Sequence, residues 1–137
     1  MRQINYIIIH CSATKAGHDF RAKDINEWHR ERGFDRIGYH KVIDLDGKVE
    51  NGRPIWQIGA HCKGHNRDSI GICYIGGLDK NGNPADTRTE DQKIALKATI
   101  EYFKSRFPNA KVVGHRDMPN AHKACPCFDA KEEYKNI

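Results

Sequence analysis

Short β-branched runs and longer stretches with an apolar residue at every third or fourth position succeed one another along this chain, and each period predicts a different element. Residues 4 to 10 close on Ile7-Ile8-Ile9-His10, a run suited to a strand covered on both faces. From Arg21 to Arg32, Ala22, Ile25 and Trp28 recur at helical spacing, and Gly33 supplies a stop. Tyr39 to Leu45 and Lys48 to Glu50 flank Asp46-Gly47, a dipeptide that tolerates the positive φ of a tight hairpin. Ser69 to Ile75 reads as another buried strand, after which Gly76-Gly77 opens a polar loop through Asn81-Gly82-Asn83-Pro84.

The second half continues the alternation. Thr89 with Gln92 three residues on makes a capping box, and Leu96, Ile100, Phe103 and Phe107 form the apolar stripe of a long helix that stops before Pro108. Lys111 to Gly114 is a last short strand, and Asp129 to Tyr134 adds a short helix. Strands and helices in this order, with one hairpin, predict an α/β fold: a central mixed β-sheet flanked by α-helices, in one domain spanning residues 1–137.

Composition narrows the classes of function. Hydrophobic residues make up 38% of the chain and charged residues 30%, and no apolar run reaches the roughly 18 to 20 residues of a membrane span. No membrane insertion is expected. The net charge of +5 is spread along the chain rather than gathered in a block, so nucleic acid is not expected as a partner. The start lacks the apolar core of a signal peptide, which makes the cytoplasm the default site of synthesis. Five cysteines at irregular spacing do not describe a disulfide framework, although the sequence leaves a Cys62–Cys73 bridge open; Cys73 reads as a small core residue.

The candidate chemistry lies at strand ends. His10 alone reads as a half-buried histidine closing a strand. His115, delivered by Val112-Val113-Gly114, and Cys125 change that balance, because two imidazoles and a thiolate form a ligand set for Zn2+ with a fourth position open to water, the arrangement of a catalytic site. Cys127 is a rival for Cys125, with both as inert buried thiols a further reading. Lys123 beside such a metal could stabilise an oxygen on which negative charge develops. Asp117 suits an ordering role in the turn, and His122 a solvated one. Tyr39 reads as core or interface unless it lies near the metal.

Several separated motifs also carry a resemblance. His10-Cys11-Ser12-Ala13-Thr14-Lys15, Gly38-Tyr39-His40, Asp46-Gly47, Gly59-Ala60-His61 with Gly64 and Asn66, Ser69-Ile70-Gly71, and His115 through Asp129 resemble the zinc N-acetylmuramoyl-L-alanine amidases of phage-lysozyme type, whose fold includes the animal peptidoglycan recognition proteins. The resemblance covers nearly the whole chain. It implies His10, His115 and Cys125 as zinc ligands, Tyr39 and Lys123 as catalytic assistants, and His61, Asn66 and Arg67 along a substrate groove. Relative to the phage enzymes the segment before His10 is short, and the loop from His115 to Cys125 is longer, with His122 inserted.

The function implied is hydrolysis of the amide between the lactyl group of N-acetylmuramic acid and L-alanine in bacterial peptidoglycan, by a monomer that reaches the wall after lysis or dedicated export. Two other classes stand beside it: a non-catalytic peptidoglycan-binding protein, and a cysteine peptidase with Cys125 or Cys11 as nucleophile. A basic nucleic-acid-binding protein with a structural zinc fits less well, because a fourth ligand and paired Cys-x-x-Cys spacing are missing from the sequence.

Overall fold

In the computed structural model, which describes residues 2–119, 121 and 123–137, the apolar run at the start of the chain forms β1 (Tyr6–Cys11), followed by a two-residue strand β2 (Thr14–Lys15) and the helix α1 (Ala22–Glu31). The hairpin consists of β3 (Lys41–Ile43) and β4 (Val49–Asn51), then come β5 (Ser69–Tyr74), a second two-residue strand β6 (Gly77–Leu78) and the long helix α2 (Glu90–Arg106). The chain closes with β7 (Lys111–Gly114), a 3-10 turn at His115–Asp117 and the short helix α3 (Ala130–Glu133).

The main sheet has the order β4-β3-β5-β1-β7. Only the β3–β4 hairpin is antiparallel; β1 runs parallel to β5 on one side and to β7 on the other, and β3 runs parallel to β5. The mixed sheet expected from the order of elements is therefore present. In the hairpin, Gly47 takes φ 85°, and the Asp46 carboxylate accepts from the Lys48 amide at 3.1 Å, which is the local chemistry a tight turn needs. The pairing of β2 with β6 was not expected, because two residues carry no readable period.

Helices cover both faces. Ile7, Ile9, Ile43, Ile70, Ile72 and Tyr74 pack with Leu96, Ile100 and Phe103 of α2 in the larger core, while Val42, Cys73 and Ile75 meet Ala22 and Ile25 of α1 in the smaller one. The α2 capping box forms in both directions: Gln92 donates its amide to Thr89 Oγ1 at 3.0 Å, and Thr89 donates to Gln92 Oε1 at 2.9 Å. Gln92 is also fully buried, and its Nε2 donates to the carbonyls of Ile43 and Ile75, tying the helix start to β3 and to the residue just past β5. On α1 the buried residues are Ala22, Ile25 and His29, with Trp28 only partly buried.

Candidate metal centre

Successive side chains of a strand point to opposite faces. In β1 this sends Ile7, Ile9 and Cys11 toward the α2 core and leaves Ile8 and His10 on the opposite face. His10 is 1% exposed, at the carboxyl end of a parallel strand, and His115 is the first residue past the neighbouring parallel strand β7. The crevice beyond the carboxyl ends of parallel strands is where open α/β sheets place their sites.

The loop that brings Cys125 to these histidines is fastened at several points. The Arg116 amide donates to the Cys125 carbonyl at 2.8 Å, the Cys11 amide donates to Cys125 Sγ at 3.2 Å, and the buried Tyr74 hydroxyl donates to the Pro126 carbonyl at 2.6 Å. A Cβ on Gly114 would fall 2.7 Å from Pro126 Cδ, so glycine at the end of β7 lets the loop approach. Asp117 accepts from the Gly114 amide at 2.8 Å, the turn-ordering role expected of it.

Among the described residues, His10, His115 and Cys125 each offer a ligand atom, and these atoms all lie within 4.8 Å of one another. Cys125 Sγ is 4.0 Å from His10 Nδ1, and the His10 and His115 ring centroids are 4.6 Å apart. Tetrahedral zinc holds such donors roughly 3.3–3.6 Å apart, so an inward shift on the order of an ångström closes the set. The donors fit the metal in kind as well. Burial first, and then the neighbouring histidines, keeps the His10 imidazole well below its ordinary pKa; burial and then Lys123 do the same more mildly for His115. Neutral rings at physiological pH leave lone pairs for a cation.

The other nitrogen of His10 is also engaged. Nε2 lies 2.9 Å from His61 Nδ1, and His61 Nε2 lies 3.2 Å from Ser69 Oγ. The tautomer in which His10 Nε2–H donates to His61 leaves His10 Nδ1, the atom facing Cys125, free to bind metal. A Cβ at either Gly59 or Gly71 would fall 2.7 Å from the His61 ring, so two glycines make the space it occupies.

The remaining residues singled out in the sequence are distributed around a cavity of about 660 Å³. Tyr39, His61, Asn66 and Lys123 line it together with the three candidate ligands, while Arg67 is exposed outside that lining. The Tyr39 ring centroid is 4.9 Å from that of His10, and burial holds its hydroxyl well above the usual phenol pKa, hence protonated. Asn66 Oδ1 accepts from the amides of both His61 and Cys62 at 2.9 Å, which shapes the loop bearing His61. Of the two rival thiols, Cys125 joins the histidines, whereas Cys127 faces Cys11. Cys62 and Cys73 are free and buried. His122 lies outside the described residues.

His29 also lines the cavity and was not singled out in the sequence. Its Nδ1 accepts from the Gly38 amide at 2.9 Å, and burial, with Arg32 and Arg53 nearby, lowers its pKa to about 4. Its place four residues after Ile25, on the apolar stripe of α1, was the available signal.

Comparison with known proteins finds relatives over nearly the whole chain. Residues 1–128 match the family described as N-acetylmuramoyl-L-alanine amidase. The endolysin of Enterobacteria phage K11 is 40% identical over 134 residues, covering 98% of this chain and 87% of the relative. The endolysin of Escherichia phage T7 is 38% identical over 125 residues, covering 91% and 82%. Among solved structures, the N-acetylmuramoyl-L-alanine amidase LysC from Clostridium intestinale URNW matches with a TM-score of 0.80 at 27% identity, over 96% of this chain and 82% of that one. Wild-type Drosophila PGRP-LB matches with the same TM-score and identity over 99% and 82%.

Proposed function

This chain belongs to the N-acetylmuramoyl-L-alanine amidase family and is an enzyme of that class, with phage endolysins among its relatives, and from that premise we propose that His10, His115 and Cys125 hold one zinc ion with which it cuts the amide between N-acetylmuramic acid and L-alanine in peptidoglycan. The observation that carries this reading is the convergence of those three ligand atoms, from positions far apart in sequence, on a cavity that Tyr39 and Lys123 also line.

Bound there, zinc supplies a Lewis acid for the amide carbonyl and a means of activating water at neutral pH. The chain's own groups do the rest. The Lys123 ammonium, at the cavity mouth, stabilises the carbonyl oxygen as negative charge builds on it. Tyr39, protonated throughout the working range, donates a hydrogen bond to the reacting centre and orients it. His61 holds His10 in the ligating tautomer, and Ser69 holds His61. We assign His61, Asn66 and Arg67 to the groove that receives the glycan and stem peptide, with His61 and Asn66 at the cavity wall and Arg67 on the exposed surface outside it. The site of action is the bacterial wall, reached after lysis or by dedicated export.

Mass analysis of digested peptidoglycan tests the bond assignment. Free stem peptides beginning with L-alanine are expected, and new reducing sugar ends in their place would reject it. A chelator tests the metal: activity should disappear and return on adding zinc. Activity that survives chelation but is lost on thiol alkylation would instead favour a cysteine peptidase, for which the 4.0 Å approach of Cys125 Sγ to His10 Nδ1 is the relevant geometry.

A further inference from the structure

Two thiols lie beside the metal ligands without belonging to them. Cys11 Sγ and Cys127 Sγ are 3.9 Å apart, although the residues are separated by 116 positions in sequence. Cys11 follows His10 at the end of β1, and Cys127 lies two residues beyond Cys125.

The surroundings hold both sulfurs in one niche. A Cβ on Gly77 would collide with Cys11 Sγ and lie 3.7 Å from Cys127 Sγ, so the bare glycine of β6 is what leaves room for the pair. Cys127 has φ 69°, a left-handed conformation that a non-glycine residue keeps only where its surroundings over-determine it. Here the Cys127 amide donates to the Ala124 carbonyl at 2.7 Å, and the preceding carbonyl, that of Pro126, accepts from Tyr74. The two differ in access: Cys11 is 5% exposed, whereas Cys127 is partly open to solvent. An accessible thiol in front of a buried one is the arrangement in which the first meets an oxidant and the second resolves it.

We propose that Cys11 and Cys127 form a disulfide when the protein meets an oxidising small-molecule disulfide, and that this bond ties the loop bearing Cys125 to the strand bearing His10. The Cys127 thiolate attacks one sulfur of the reagent, forms a mixed disulfide and releases one thiol. The Cys11 thiolate then attacks the Cys127 sulfur, closing the intramolecular bond and releasing the second thiol. The protein pair loses two electrons and two protons, and the reagent gains both.

The experiment incubates the zinc-loaded protein with excess oxidised glutathione at about pH 8.5 until the thiol count no longer changes, because burial first, and then Cys11, pushes the Cys127 thiol up to about 11 and slows its exchange. It then counts free thiols under denaturation, maps cross-linked peptides by mass spectrometry and measures thermal unfolding. Two of the five thiols should be consumed, in a single cross-link joining Cys11 and Cys127, with a loss of two hydrogens and a rise in Tm on the order of 10 °C. Cys127→Ser and Cys11→Ser should each abolish the cross-link and the rise. Survival of all five thiols, arrest at a glutathione adduct on Cys127, or a bond between any other pair overturns the proposal.

Discussion

His10 Nε2 lies 2.9 Å from His61 Nδ1, so the buried histidine that faces Cys125 through one ring nitrogen is held through the other by a second histidine. Removing that support should loosen the metal rather than the fold. His61→Ala is expected to weaken zinc affinity by about 10–100-fold, read by competition with a chromophoric chelator. Gly71→Ala should act in the same direction, since the added methyl would fall 2.7 Å from the His61 ring. Unchanged affinity in both variants would remove His61 from the metal's support.

The proposed thiolate ligand and the neighbouring cation should separate binding from turnover. Cys125→Ala should lose stoichiometric zinc and activity together. Lys123→Ala should keep zinc and lower kcat by about 10²–10³-fold, the usual effect of removing one oxyanion donor. Metal analysis alongside steady-state kinetics distinguishes them; a Cys125 variant with full zinc and full rate would refute the ligand assignment.

Tyr74 reaches from the core to the loop bearing Cys125 through its hydrogen bond to the Pro126 carbonyl. Tyr74→Phe leaves that carbonyl without its partner and should cost about 1–2 kcal/mol in urea unfolding of the metal-free protein. Because the loop carries Cys125, zinc affinity should fall as well, although no ligand has been touched. A stability loss with unaltered affinity would show that the loop is held by its other contacts.

Acid sensitivity should trace to a buried guanidinium. Arg88 lies over the Phe128 ring at 3.4 Å and makes paired hydrogen bonds to Asp86 and to Glu133 at 2.8–2.9 Å. It holds both carboxylates below their ordinary pKa values. Their stabilising contribution is therefore complete above their unfolded values, about pH 4, and is lost as pH falls through the lower folded ones. Arg88→Met should reduce stability at neutral pH and flatten its decline on acidification below about pH 4. Urea midpoints measured from pH 7 down to about pH 3 test both parts.

Much of this architecture was legible because its signals are local. The run Ile7-Ile8-Ile9, the Asp46-Gly47 turn and the Thr89/Gln92 box each declare an element within a few residues, and two of the proposed ligands stand where predicted strands end. What escaped depends on contacts between distant segments. The two-residue ladder of β2 and β6 exists only because Gly76 and Gly77 bring the chain back beside Thr14. Gln92 could be read as a cap, but its bonds to Ile43 and Ile75 could not. His61 resembled a groove residue in sequence, but its place against His10, in the space that Gly59 and Gly71 leave, could not be read there.

The pairing of β1 between β5 and β7 has a consequence for biogenesis. During synthesis the first proposed ligand emerges more than a hundred residues before the last, and no local segment contains His10, His115 and Cys125 together. A nascent chain cannot assemble the set until β7 has joined β1 and the loop beyond it has docked. Tight metal uptake should thus coincide with completion of the tertiary structure, making the ion a reporter of finished molecules and leaving half-made ones catalytically silent.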